Sequence, residues 1–205
     1  MQFSTTNLTK PGPQTLATFA RLLEDRGYKA DIAKENFDKA VKAIGYMFAN
    51  KCGLFLFGDN GTGKSTFLKA LSKLTFGPTP LYPEPVRFKY IDLKDPYTVQ
   101  LLDRQDPDNI FGDLLHYNVI IDDLGAEYPK PEWGVRREVV ADFIYAFTAM
   151  SENSITISTN LGGDKLVDRY NTRLDMVKDH CLPLVFTGKT LRQWTLFDQP
   201  EGGAR

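Results

Sequence analysis

The sequence lacks most of the features that mark membrane, secreted or metal-binding proteins. Among its 205 residues there are two cysteines, Cys52 and Cys181, and no cysteine or histidine pair at the spacing of a metal site. No apolar run approaches the ~20 residues that cross a bilayer, and the N-terminus has no signal-peptide pattern. These absences predict a soluble cytoplasmic protein with reduced thiols and no membrane association.

The sequence also lacks an excess of charge of either sign. Its 25 basic and 26 acidic residues give a formal net charge of −1 at pH 7. Contact with nucleic acid would therefore need a local basic patch. One candidate is the segment 130–137, in which Trp133 lies near two arginines and could stack on single-stranded bases. The alternative is a tryptophan that packs against the start of its own helix.

What the sequence does contain is an alternation of short apolar strands with helical patterns. Five strand candidates are bounded by glycine, proline or polar residues, namely GLFLFG, VRFKYIDL, NVIIDDLG, SITISTN and PLVFTG. Helical patterns lie between them, and the clearest is REVVADFIYAFTAM. Strands that alternate with helices predict a parallel sheet in a three-layer α/β domain.

A glycine-rich loop follows the first strand candidate. The residues GDNGTGKST match the pattern Gly-x-x-x-x-Gly-Lys-[Ser/Thr]. Because glycine has no Cβ, such a loop can curl until its backbone N–H groups point at phosphate oxygens, beside the positive end of the following helix. Lys64 is expected to reach the β- and γ-phosphates of ATP, and Ser65 to ligate Mg²⁺. The expected nucleotide-binding residues are Gly58, Asp59, Asn60, Gly61, Thr62, Gly63, Lys64, Ser65 and Thr66.

Two further strand candidates end in polar side chains at the same predicted sheet edge. Asp122 and Asp123 end the run NVIIDD, so Asp122 is predicted to hold the Mg²⁺ and Asp123 to polarise the attacking water. Many ATPases place a glutamate at the second position, and aspartate is one methylene shorter. Asn160 ends SITISTN and could orient water against the γ-phosphate. An asparagine that only forms a turn is the alternative.

Three arginines could stabilise charge during phosphoryl transfer. Arg169 and Arg173 lie in a helical stretch after SITISTN, and an arginine supplied by a neighbouring subunit can serve this role. Arg192 follows the last strand and could face the same nucleotide. A solvated or salt-bridged surface arginine is the alternative at these positions.

With these motifs in order, the chain resembles the AAA+ ATPases of the bacterial helicase-loader group, the DnaC/DnaI type, and their transposition relative IstB. The likeness runs from about Glu35 to Arg192 and includes ENFDKAVKAIGYMFANKCGLFLFGDNGTGKST, IIDDLGAE, TISTN and VFTGKTLR. It implies a five-stranded parallel sheet in the order 5-1-4-3-2, ATP bound at a subunit edge, and Arg173 as the arginine finger. It also implies an ATP-dependent homo-oligomer, contact with single-stranded DNA, and a replicative helicase or a transposase as partner.

The resemblance also implies a division of the chain. We expect a leader with a short helix at 1–34, an AAA+ ATPase domain at 35–198 without a separate lid domain, and a flexible tail at 199–205. The predicted function is slow, Mg²⁺-dependent ATP hydrolysis in DNA replication or transposition. Two alternatives stay open, a small P-loop kinase and a nucleotide-gated DNA-binding adaptor with little hydrolysis. Asp123 in place of glutamate is the reason to keep the adaptor as an alternative.

Overall fold

A five-stranded parallel sheet with helices on both faces lies at the centre of the fold. The computed structural model describes residues 30–75, 86–103, 112–128, 130–132 and 135–188, together with Arg21. Most of the predicted leader, the predicted tail, Trp133 and Arg192 lie outside these residues. Within the described ranges, no helix has both the length and the apolar character that crossing a bilayer requires.

Helices and strands alternate along the chain as the sequence pattern predicts. In order they are α1 (Ala30–Asn50), β1 (Gly53–Gly58), α2 (Lys64–Leu71), β2 (Phe88–Asp92), α3 (Pro96–Asp103), α4 (Gly112–Leu114), β3 (Asn118–Leu124), β4 (Lys130–Glu132), β5 (Val135–Arg137), α5 (Val139–Met150), β6 (Ile155–Thr159), α6 (Gly163–Tyr170), a 3-10 helix (Asn171–Leu174), α7 (Asp175–His180) and β7 (Cys181–Phe186). The antiparallel pair of β4 and β5 is an addition, because strands of three residues are too short to show an alternating pattern.

The sheet has the strand order β2-β3-β6-β1-β7, and all of its neighbouring strands are parallel. When only the five strands of this sheet are numbered 1 to 5 along the chain, their order from the β7 edge is 5-1-4-3-2. The predicted strand order is therefore confirmed. Strand β6 lies between β1 and β3, and its Thr159 pairs with Phe57 on one side and with Leu124 on the other. The loop after β1 and the acidic end of β3 therefore open at the same edge of the sheet, one strand apart.

The central strands are buried on both faces. All seven residues of β3 and all five of β6 are buried. On one face the core contains Ile44 of α1 and Phe67 of α2, and on the other it contains Ile144 and Phe147 of α5. Because helices cover both faces, the polar groups that end the strands gather at the carboxyl edge, where loops are free to form a site.

Hydroxyl groups connect β6 to its neighbours within this core. The Leu54 N–H donates to Thr156 Oγ1 at 3.2 Å, and Thr159 Oγ1 donates to the Leu124 carbonyl at 2.7 Å. A buried hydroxyl without a partner would cost free energy, so these bonds help to keep the three central strands in register.

Gly53 begins β1 where two strands approach too closely for a side chain. An added Cβ at this position would lie 1.5 Å from the carbonyl oxygen of Ile155, a backbone atom of the neighbouring strand β6. By contrast, nothing lies within 4 Å of a Cβ added at Gly163, the first residue of α6. The two glycines therefore make a matched pair.

We expect Gly53→Ala to lower the free energy of unfolding by about 3 kcal/mol or more, because buried backbone must move to accept the methyl group. Gly163→Ala is expected to change it by less than about 1 kcal/mol, the difference in helix propensity. Urea denaturation of both variants measures the difference. Equal stability of the two variants would contradict the close approach of β1 and β6.

Candidate functional site

The loop after β1 turns sharply before the start of α2. Gly58, Gly61 and Gly63 have φ values of 138°, 81° and 96°, which side chains rarely tolerate. At Gly58 an added Cβ would also lie 2.0 Å from the carbonyl oxygen of Phe186 in β7. The exposed Asp59 lies at the turn of this loop. Glycine is thus required by backbone geometry at the positions that the phosphate-binding pattern specifies.

The predicted binding residues continue from this loop into α2. Residues 58–63 form the end of β1 and the loop, and Lys64, Ser65 and Thr66 form the first turn of the helix. No side chain caps the N-terminus of α2. The first N–H groups of α2 therefore lack a side-chain cap, which leaves them available to an anion at the helix N-terminus.

Lys64 is buried inside the loop, with 3% of its surface exposed. Its Nζ donates to the carbonyl oxygen of Gly58 at 2.6 Å and to that of Asp59 at 2.8 Å. Thr62 Oγ1 also donates to the Asp59 carbonyl, at 2.9 Å. Burial lowers the pKa of Lys64, and nearby carboxylates, with that of Asp123 first, oppose this effect. The loop thus holds a largely desolvated amine beside its own N–H groups.

Ser65 and Asp122 meet at the edge of the sheet. Ser65 Oγ donates to Asp122 Oδ1 at 3.1 Å, although the two residues lie on α2 and β3. Ser158 Oγ of β6 donates to the same oxygen at 2.5 Å. The hydroxyl of Tyr90 in β2 donates to Asp122 Oδ2. Burial, followed by the hydrogen bond to Asp122, raises the pKa of Tyr90.

The donor set of Ser65 and Asp122 fits Mg²⁺. This ion prefers oxygen ligands and is commonly held by one or two carboxylates together with phosphate oxygens and water. Among the described residues, no group of three or more His, Cys, Asp or Glu side chains could hold a metal ion alone. A metal at this edge would therefore depend on oxygens of a ligand, as it does in phosphoryl-transfer sites.

Asp123 has an uncommon backbone conformation for a residue with a side chain. Its φ is 63°, and the register between β3 and β6 shifts between Ile121 and Leu124. Asn160 Nδ2 donates to Asp123 Oδ1 at 2.5 Å, and Lys94 Nζ pairs with Oδ2. The left-handed turn thus directs the Asp123 carboxylate to Asn160, the residue that follows β6. Strain of this kind is concentrated at functional sites.

Lys94 and Tyr90 belong to the site although sequence reasoning does not select them. Lys94 follows β2, and its hydrogen bond to Asp123 raises its pKa. In the sheet register Asp92 pairs with Asp122, so Tyr90 and Lys94 lie two residues before and two after that pair. Only the register of β2 against β3 identifies them, and the sequence alone does not contain it.

The structure gives Arg169 an internal role. Its guanidinium donates to the carbonyl oxygens of Gly125 at 2.8 Å and Glu127 at 2.6 Å, and it pairs with Glu138 at 3.2 Å. The hydroxyl of the buried Tyr170 donates to the Glu127 carboxylate. These contacts fix the turn that follows the two acids of β3. Arg169 is therefore occupied within its own chain.

Arg173 lies in the 3-10 helix and is much more exposed. Its side chain is 49% exposed, and NH1 donates to Asp142 Oδ1 at 3.0 Å. An exposed pair of this kind contributes little to stability, so it can exchange for another anionic partner at low cost. Arg192 lies outside the described residues, as do the side chains of Arg136 and Arg137.

Comparison with known proteins supports the fold. No protein-family model matches the sequence, and neither does any curated protein. The crystal structure of the DnaC helicase loader is similar, with a TM-score of 0.55 and 19% identity over 74% of this chain and 90% of that chain. A candidate primosome component from Streptococcus pyogenes serotype M3 aligns with a TM-score of 0.47 and 18% identity, over 93% of this chain and 88% of that chain. At these identities the similarity concerns the fold alone, and this chain shares the five-stranded parallel P-loop fold of the DnaC helicase loader.

Proposed function

We propose that this chain is an ATP-binding and ATP-hydrolysing AAA+ protein that acts in DNA replication in the cytoplasm. The observation that carries the proposal is the contact of Ser65 with Asp122 at 3.1 Å, next to a glycine loop that encloses Lys64. A hydroxyl, a carboxylate and a buried amine at one sheet edge match the requirements of a magnesium triphosphate. The fold of the DnaC helicase loader favours replication over transposition as the setting.

In the proposed mechanism, residues 58–66 bind the triphosphate through N–H groups of the loop and of the α2 N-terminus. Lys64 would exchange its bonds to the loop carbonyls for bonds to the β- and γ-phosphates. Ser65 and Asp122 would hold Mg²⁺, which when bound supplies positive charge to the phosphate oxygens. Asp123 and Asn160 would orient the attacking water, because their side chains are already joined at 2.5 Å.

The partners of Asp123 favour a second candidate function. Both oxygens of its carboxylate are engaged, one by Asn160 and the other by Lys94. Water would have to compete with these two partners for the carboxylate, and aspartate has a short reach. An ATP-gated adaptor that binds DNA or a helicase and hydrolyses ATP very slowly is therefore the alternative.

Arg173 would act from a neighbouring subunit in an ATP-dependent homo-oligomer. Its exposure and its weak pairing with Asp142 support this role, whereas Arg169 is occupied by Glu127 and Glu138. The proposed partners of the assembly are single-stranded DNA and a replicative helicase. Mass measurement in solution, with and without a non-hydrolysable ATP analogue and single-stranded DNA, tests the assembly directly.

One prediction of the proposed function concerns the phosphate loop. We expect Lys64→Ala to weaken ATP binding by about 100-fold, since two charged hydrogen bonds at about 1.5 kcal/mol each are lost. Isothermal titration calorimetry with Mg²⁺ measures the change. Lys73→Ala is the matched control, because it removes the same charge from an exposed position just beyond α2. Wild-type affinity in a folded Lys64→Ala protein would contradict the site.

A second prediction separates hydrolysis from binding. Asp123→Asn should keep ATP affinity and lower the hydrolysis rate by about 100-fold, because the residue can no longer act as a base. Asp123→Glu should raise the rate severalfold if reach limits turnover. Phosphate release assays measure both rates, with Asp164→Asn on the exposed first turn of α6 as control.

The hydrolysis rates of the wild type and of these variants distinguish the two candidate functions. An ATPase is supported if wild-type turnover is measurable and falls in Asp123→Asn. The adaptor is supported if wild-type turnover is near background and rises only in Asp123→Glu. Hydrolysis that is the same in Asp123→Asn as in the wild type would exclude Asp123 as the base.

A third prediction tests whether Arg173 acts between subunits. Arg173→Ala should bind ATP normally, but the ATP hydrolysis rate of its assembly should be about 1,000-fold lower than that of the wild type. Mixing it with Lys64→Ala, which supplies Arg173 but cannot bind ATP, should restore part of the activity. Lys178→Ala is the control, because Lys178 forms a similarly exposed ion pair with Asp175. Absence of restoration in a mixture that still assembles would exclude action across the subunit boundary.

A further inference from the structure

Tyr90 contacts Asp122, but neither the sequence pattern nor the proposed mechanism uses it. Its hydroxyl donates to Asp122 Oδ2 from the neighbouring strand β2. We propose that Tyr90 is a positioning residue that orients the Asp122 carboxylate for binding of a divalent cation. The inference rests on the proposed function, because it assumes that Ser65 and Asp122 hold Mg²⁺.

The strand register explains how Tyr90 reaches Asp122. Tyr90 pairs with Ile120, and Asp122 lies two residues farther along β3, on the same face of the sheet. The phenol ring therefore extends along this face toward the carboxyl edge, and its hydroxyl arrives at the carboxylate. The reach of a tyrosine side chain matches the distance between alternate residues of a strand, about 7 Å.

Packing holds the ring of Tyr90 in this direction. The ring lies against the core cluster that contains Phe67 and Leu71 of α2. Lys69 Nζ, also from α2, lies 5.7 Å from the ring centroid, within the range of a cation–π contact. Since α2 is the helix that begins at the glycine loop, the ring is fixed between the helix that carries Ser65 and the sheet that carries Asp122.

The carboxylate of Asp122 needs such a contact to have one orientation. The terminal torsion of an aspartate is broad, so backbone and Cβ positions alone do not orient its two oxygens. Ser65 and Ser158 both donate to Oδ1, whereas Tyr90 is the donor that the described residues provide to Oδ2. With Oδ2 held from β2, Oδ1 is directed to Ser65, the residue with which it would share the cation.

A purely structural reading makes a different prediction. In that reading Asp122 serves only to satisfy the partly buried hydroxyl of Tyr90, and phenylalanine at position 90 would lower stability without affecting cation binding. If Tyr90 positions the carboxylate, loss of the hydroxyl changes the dependence of nucleotide binding on the cation. Partners that orient a metal ligand typically account for a 10- to 100-fold effect on metal affinity.

The test is Tyr90→Phe, which keeps the ring and removes the hydroxyl. A fluorescent ATP analogue is titrated in EDTA and at a series of Mg²⁺ concentrations, and binding of Mn²⁺ with the analogue is followed by electron paramagnetic resonance. We expect unchanged affinity in EDTA and about a tenfold rise in the Mg²⁺ concentration required for half-maximal enhancement of binding. The Mn²⁺ dissociation constant should rise by a similar factor.

Tyr170→Phe is the matched control. It removes the hydroxyl of a second tyrosine, here a buried one, that also donates to a carboxylate, that of Glu127, outside the proposed cation site. Its melting temperature should fall as much as that of Tyr90→Phe, but its Mg²⁺ requirement should equal that of the wild type. Asp122→Asn provides the reference for a protein whose cation ligand is lost.

Each outcome supports or overturns the inference. A wild-type Mg²⁺ requirement in Tyr90→Phe, with Asp122→Asn impaired, would show that Tyr90 only packs, and would leave the proposed function intact. If Tyr90→Phe lost the same factor of affinity for the analogue in EDTA as in Mg²⁺, the role of Tyr90 would also be structural and the inference would be overturned. If the wild type bound the analogue without any effect of Mg²⁺, the proposed function itself would fail, and the inference with it.

Discussion

The buried carboxylate of Asp122 is the contact on which the rest of the site depends. It is 1% exposed and receives hydroxyl groups from Ser65 of α2, Tyr90 of β2 and Ser158 of β6. A buried aspartate costs free energy unless its oxygens accept hydrogen bonds. Here three elements that surround β3 supply the donors. The same donors fix the distance between the glycine loop and the end of β3. One side chain thus joins four elements and orders the edge of the sheet.

The parts of this arrangement that depend on local spacing could be predicted from the sequence. The glycine loop, the strand ending in Asp122 and Asp123, and Asn160 at the end of a β-branched strand are patterns within short segments. Their meeting at one edge follows from the rule that ligands bind at the carboxyl ends of parallel strands. The five strands could thus be predicted from the residues, whereas their order is implied by the resemblance to the helicase-loader group and is confirmed by the sheet.

The contributions of β2 and α6 could not be predicted, because they depend on register and on contacts distant in sequence. VRFKYIDL has mixed polarity, so nothing in it marks Tyr90 or Lys94 as neighbours of the acidic strand. The distinction between Arg169 and Arg173 likewise depends on where Glu127 and Glu138 lie in three dimensions. The spacing of the two arginines in the sequence is compatible with either one facing another subunit.

The two adjacent acids at the end of β3 differ in environment. Asp122 is enclosed by neutral hydroxyl donors, which orient a carboxylate and leave its charge available to a cation. Asp123 is held in a left-handed conformation, with an amide on one oxygen and the ammonium group of Lys94 on the other. Lys94 is 56% exposed, so solvent or a bound partner can compete for it. Because the Asp123 side chain is only 4% exposed, a partner that drew Lys94 away would leave one oxygen of a buried carboxylate without its cation, while the hydroxyl donors that hold Asp122 would stay in place.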